Sequence, residues 1–109
     1  MIYLTNAFSL QMLNGISEAK VGVRKLSADQ VCQKLQGSFV SAVGHEATAT
    51  FLSELFGVYI QYNRFNLRLE ENDDVIVAQY SKGRLNGELT KLQPDDFSFY
   101  EVKILERRI

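Results

Sequence analysis

The chain has 109 residues, of which 46% are hydrophobic and 23% charged, with a formal net charge of -1. That is one globular domain, long enough for a core and too short for two. The balance argues against a general nucleic-acid coat, which carries a basic excess, so an anionic ligand would have to meet a local patch. One cysteine excludes an internal disulfide, one His with one Cys cannot build a usual structural zinc site, and no apolar run approaches a membrane span. Without a charged segment and long apolar run after Met1, the expected setting is the reduced cytoplasm, away from membranes.

In chain order, residues 2–5 predict a short strand, and Asn6 to Leu13 a loop turning into a short helix that stops at Asn14-Gly15. A strand follows over roughly 20–25. Ser27-Ala28-Asp29-Gln30 is a capping-box pattern, with Ala28, Val31, Cys32 and Leu35 forming one apolar stripe behind it and Gly37 as the stop. Cys32 is expected in the core, as a small hydrophobe. Ser38 to Val43 predicts a buried strand, and Gly44 a sharp turn into a helix from His45 to Phe56. In that helix Thr48, Leu52, Leu55 and Phe56 share a face, and Gly57 ends it. Phe65, Leu67 and Leu69 alternate with Arg64, Asn66 and Arg68, the pattern of a half-buried strand with a polar, partly basic face. Asp73-Asp74 marks a turn before Val75-Ile76-Val77-Ala78, an apolar run suited to a central strand. A glycine-containing polar loop runs from Ser81 to Glu88, Pro94 sits in a second irregular stretch, and a last strand covers about Phe97 to Leu105. The sum is α+β: a single mixed β-sheet of about five or six strands with two or three helices, packed on one side.

Four clusters carry donors or a titratable proton. The first is Asn6, Ser9 and Gln11 just past strand one; Asn6 and Ser9 read equally well as caps of the short helix. The second is His45, the only histidine, with Thr48 beside it at a helix start. There, unpaired first-turn N–H groups and the positive end of the dipole receive an anion to which an imidazole can hand a proton. Without a second His, it is either an acid–base centre or incidental. Arg64 and Arg68 form the third cluster, which also reads as a solvated face. Gln79, Ser81, Lys82, Arg84 and Glu88 form the fourth, in a loop that also reads as a plain connection. Met at one end of the sheet, the four would supply cations, amide donors and one proton shuttle, without paired carboxylates, a thiol nucleophile or a metal cluster. That kit suits holding or cleaving a phosphodiester.

Tyr3-Leu4-Thr5-Asn6-Ala7-Phe8-Ser9-Leu10-Gln11-Met12-Leu13, Ala42-Val43-Gly44-His45-Glu46-Ala47-Thr48, Gln61-Tyr62-Asn63-Arg64 and Gln79-Tyr80-Ser81 with Arg84-Leu85 resemble, in order, the ring-nuclease family of archaeal viruses and some bacteria. Viral members of that family act as anti-CRISPR proteins against type III systems. The resemblance implies a homodimer that binds cyclic tetra-adenylate and cuts it, without a metal or other cofactor, into linear di-adenylates with 2′,3′-cyclic phosphate ends. It assigns His45 as general acid, with Arg84 and Glu88 as its catalytic partners. Asn6, Ser9, Gln11, Gly44, Thr48, Arg64, Gln79 and Ser81 become ligand-binding or supporting residues. The family usually follows its arginine with Leu-x-Glu-Gly; here Arg84-Leu85-Asn86-Gly87-Glu88 follows an extra Gly83, so Glu88 takes the glutamate's place only after a shift in the loop.

Two other classes stand beside this expectation. A protein of the same fold could bind the cyclic nucleotide without cutting it, which the altered loop favours. A small DNA-binding or protein-interaction module is disfavoured by the composition and by the lack of a helix-turn-helix or basic arm, so no binding to double-stranded DNA is expected.

Overall fold

The computed structural model describes residues 1–82 and 92–109. Its described strands are β1 (Ile2–Thr5), β2 (Glu18–Leu26), β3 (Val40–Ala42), β4 (Asp74–Tyr80) and β5 (Phe97–Arg108), and its α-helices are α1 (Ala28–Lys34) and α2 (Glu46–Phe56). Short 3-10 helices cover Leu10–Leu13 and Pro94–Asp96. The strands form one mixed sheet in the order β2-β5-β4-β1-β3. In it β1 runs parallel to both β3 and β4, and β5 antiparallel to β4 and β2. The expected α+β architecture is therefore present.

Local sequence explains the helices. The Ser27 hydroxyl accepts from the Gln30 N–H at 3.1 Å while the Gln30 side chain accepts from the Ser27 N–H at 2.8 Å, which satisfies two donors at the start of α1. Gly57 ends α2 in the left-handed region, φ 68°, where its N–H closes on the Ser53 carbonyl at 3.0 Å. Both helices pack on one face of the sheet: Val31 of α1 and Leu35 at its C-terminal cap join Ala49, Leu52 and Phe56 of α2 over Leu4, Ile76 and Phe99. Cys32 packs at the edge of this cluster, only partly buried, with its Sγ 3.6 Å from the Phe56 carbonyl. Val75 to Ala78 are buried throughout, as a strand covered on both faces must be.

The opposite face differs from expectation. Residues 64–69 form no strand. Leu67 and Leu69 are nevertheless buried, against Met12, Val75, Val77 and Val102, and the Leu69 N–H donates to the Met12 carbonyl at 2.9 Å. An extended segment lying on the sheet hides alternate residues as a laddered strand does, so the alternation reported one-sided burial and not pairing. Phe65 is left 43% exposed. The turn before β4 falls on Glu70 to Asp73, with Asn72 at φ 71°, and Asp74 already belongs to the strand. Over β2 the second face stays open, with Val21 and Val23 exposed.

Candidate functional site

Because β1, β3 and β4 are parallel, their carboxyl ends lie at the same edge of the sheet. Asn6 follows β1, Val43-Gly44-His45 follows β3, and Gln79 to Ser81 close β4. In open sheets with parallel strands this edge is where ligands collect, since the backbone there turns away and leaves its donors facing outward. Asn6 and Gly44 are joined directly: the Gly44 N–H donates to Asn6 Oδ1 at 2.9 Å. Asn6 is thus a strut across β1 and β3, not a cap of the 3-10 helix, and Ser9 alone caps that helix, accepting from the Gln11 N–H at 3.2 Å.

Beyond Gly44 the chain enters α2 with His45 as N-cap in an extended conformation, φ −136°, and the His45 side chain makes no capping bond. His45 Nδ1 is buried and without a hydrogen-bond partner among the described residues. Buried polar atoms are rarely left so, and one that is calls for an explanation. The helix dipole and the unpaired N–H groups of the first turn point the same way, with the Glu46 carboxylate exposed beside them.

The third wall is the segment after α2. Gln61 to Asn63 run along the end of β3: Ser41 Oγ donates to the Gln61 carbonyl at 2.6 Å, the Asn63 N–H donates to the Val43 carbonyl at 2.9 Å, and Asn63 Nδ2 donates to the Ser41 carbonyl at 2.8 Å. Val43 and Tyr62 form an isolated parallel bridge. This lays Arg64 against Gly44, where a Cβ would meet Arg64 Cγ at 3.2 Å, so glycine permits the close approach. Gly44, His45, Glu46, Ala47, Tyr62 and Arg64 line a cavity of about 520 Å³, within the size range of small-molecule sites.

Other expected residues lie elsewhere. Gln79 and Ser81 line a separate cavity of about 360 Å³ with Phe8, Val23, Val77 and Tyr100. The Ser81 hydroxyl and N–H both donate to the Asp96 carbonyl, at 2.8 and 2.7 Å, which fixes the start of the loop. Gln11 borders a third cavity, with Asn14, Asn66 and Arg68. Thr48, 1% exposed, sits on the buried side of α2, and its Oγ1 also has no partner among the described residues. Arg84 and Glu88 lie outside the described residues. Tyr62 and Asn63, quoted in the Gln61-Tyr62-Asn63-Arg64 motif but given no role there, prove to line the cavity and to hold the segment against β3, respectively.

A second polar group was missed altogether. Glu101, 5% exposed in the middle of β5, is met by Lys34 Nζ and Arg24 Nη2, each at 2.9 Å. Burial works to raise its carboxyl, but the Lys34 ammonium, helped by Asp74 and Lys103, outweighs that and holds it below the ordinary range. Asp74 is pushed up, first by burial and then by the charge on Glu101, against the pull of Lys103. These groups sit among the sheet's central residues and at the start of β4, away from the edge that carries His45.

The STIV B116-like family model matches residues 2–103. Uncharacterized protein 26 of Sulfolobus islandicus filamentous virus (isolate Iceland/Hveragerdi) is 34% identical over 77 residues, 70% of this chain and 64% of that protein, so the match spans less than two thirds of that relative. Uncharacterized protein ORF117 of Acidianus two-tailed virus is 28% identical over 109 residues, covering 94% of this chain and 92% of its own. The solved structure of B116 of Sulfolobus turreted icosahedral virus superposes with a TM-score of 0.77 at 28% identity, over 94% of this chain and 97% of that one. With the family pattern covering nearly the whole domain, this chain belongs to the STIV B116-like family.

Proposed function

We propose that this protein is a metal-independent ring nuclease that binds cyclic tetra-adenylate and cleaves it to linear di-adenylates ending in 2′,3′-cyclic phosphates, so switching off type III CRISPR signalling in the cytoplasm of the host cell. The observation that carries the reading is the meeting of Asn6, Gly44, His45 and Arg64 at one end of the sheet, around an N-cap imidazole and a helix start. In the proposed reaction a ribose 2′-hydroxyl attacks the adjacent phosphorus in line, the bond to the 5′-oxygen breaks, and His45 donates the proton that this oxygen needs to leave. General acid catalysis of this kind contributes roughly 10²–10⁴-fold. The N–H groups of Glu46 and Ala47 and the Arg64 guanidinium would hold the phosphate, an electrostatic contribution that grows as charge builds on its oxygens. Arg84 and Glu88 enter as catalytic partners by the family pattern alone.

A homodimer is part of the proposal. A four-fold repeated ring presents equivalent phosphates on opposite sides, and a two-fold pair of chains would offer one His45 to each of two of them. The open sheet face, with Val21 and Val23 in water and Gln79 and Ser81 at its margin, supports a second copy as its cover.

Incubation with cyclic tetra-adenylate and a chelator tests the reading. Wild type should release linear product, and His45→Ala should keep binding while losing about 10²–10⁴-fold in rate. Binding without product from wild type would leave the sequestering alternative, which the altered Arg84-Leu85-Asn86-Gly87-Glu88 sequence favours. No binding at all would end both.

A further inference from the structure

The cavity at the start of α2 holds more than a phosphate site requires. Arg64, His45 and the first-turn N–H groups suit an anion, yet none of them distinguishes a nucleotide from inorganic phosphate. Tyr62 lines the same cavity and is 49% exposed. Among the described residues the aromatic rings classed as exposed are Tyr59, Tyr62 and Phe65, all within the stretch that carries Arg64. Leaving a large ring in water costs roughly 1.5–3 kcal/mol of burial that the fold forgoes, so three together mark a surface with a use.

Tyr62 is also the ring whose backbone is best held. The Gln61 carbonyl on one side and the Asn63 N–H and side chain on the other are tied to β3 through Ser41 and Val43. Buried Ile60 anchors the approach, its N–H donating to Ser53 Oγ at 2.9 Å. A rigid aromatic with two side-chain torsions loses little entropy when a ligand settles on it. Tyr59, 81% exposed, borders only the neighbouring cavity, with Glu54 and without Arg64 or His45, whereas Tyr62 borders both. Phe65 borders neither cavity.

We infer that Tyr62 is the base-binding platform of this site: a purine ring stacks on it while the attached phosphate lies at His45, Arg64 and the α2 amides. The inference rests on the nucleotide reading of the site and specifies which residue recognises the base. Stacking on one aromatic ring is worth about 5- to 150-fold in affinity per base, and it tolerates the loss of the phenol hydroxyl.

The test uses the full chain carrying His45→Ala, to prevent turnover, and a cyclic tetranucleotide in which 2-aminopurine replaces adenine. Its fluorescence should be quenched on binding to the parent and to Tyr62→Phe. With Tyr62→Ala, affinity should fall by about 5- to 150-fold and the quenching should be lost, while circular dichroism shows an unchanged fold. Competition by ribose 5-phosphate, which has no base, should be the same for parent and Tyr62→Ala. Unchanged affinity and quenching in Tyr62→Ala would overturn the platform, and an equal loss in Tyr62→Phe would replace stacking by a role for the hydroxyl. Failure of the His45-bearing wild type to bind the cyclic nucleotide would instead refute the nucleotide reading itself.

Discussion

Replacing Lys34 by methionine tests whether the charged group under α1 supports the fold. Lys34 Nζ lies 2.9 Å from Glu101 Oε2, with the lysine side chain 28% and the glutamate side chain 6% exposed. Removing the only partner of a buried carboxylate costs about 3–5 kcal/mol. Here Arg24 remains at 2.9 Å on the other oxygen, but its side chain is 61% exposed and partly screened. The expected loss is therefore about 2–3 kcal/mol, in the range of a hydrogen bond to a charged group. For a domain of this size that lowers the melting temperature by roughly 10 °C. The carboxyl of Glu101 is held below its ordinary value of 4.5. Its stabilisation is thus full above that value and lost as pH falls through the depressed folded value. The gap between Lys34→Met and wild type should consequently be complete at pH 7 and shrink below pH 4.5. Urea unfolding followed by circular dichroism at both acidities measures it. Lys20→Met, at a pair whose side chains are 72% and 71% exposed, is the control and should stay within about 0.5 kcal/mol of wild type. A Lys34→Met variant as stable as that control at pH 7 would refute the reasoning.

Asp74 should respond in the opposite sense. Its folded pKa is raised above 3.8, so the stability tied to its proton is present below that value and lost as pH climbs through the raised one. Asp74→Asn removes the charge that Glu101 opposes, and its urea midpoint should exceed that of wild type at pH 7 and match it near pH 3; a lower midpoint at pH 7 would show that the Lys103 pair, at 3.6 Å, dominates instead. Gly44→Val places branched carbons where even a Cβ would sit 3.2 Å from Arg64 Cγ. Arg64 is exposed and can swing away, so stability should fall by only about 1 kcal/mol. Affinity for cyclic tetra-adenylate should drop roughly 10- to 100-fold, because the guanidinium no longer lies at the helix start. Calorimetric titration with a denaturation curve separates the two, and wild-type affinity would remove Arg64 from the site.

Helices were legible here because their signals are local. A capping box and a terminal glycine act within a few residues, so Ser27-Gln30 and Gly57 mark their ends without reference to the rest of the chain. Residues 64–69 misled because alternation records which side is buried, and an extended segment packed across a sheet satisfies it with one backbone bond to Met12. Glu101 was invisible for a related reason. Its partner Arg24 is 77 positions away, and inside the strand Glu101 interrupts an apolar pattern with nothing nearby to explain it.

The site falls between these cases. Its residues were legible as punctuation, since at this edge of the sheet each apolar run gives way to a polar or glycine residue: Thr5 to Asn6, Val43 to Gly44-His45, Ala78 to Gln79. What no local pattern carries is which punctuation marks meet. Asn6 reaches Gly44 because β1 pairs in parallel with β3, and Arg64 reaches Gly44 because Ser41 and Asn63 bind the returning chain to β3's exit. Gln79, equally prominent in sequence, projects from β4 on the face that carries Val77 and Tyr100, the face without α-helices. Period-two alternation along β4 thus turns Gln79 away from the face on which α2, the helix that begins after His45, packs. A ring-shaped ligand that touches both groups would need to span two faces of one sheet edge or draw them from two copies of the chain, and the proposed homodimer would supply the second arrangement.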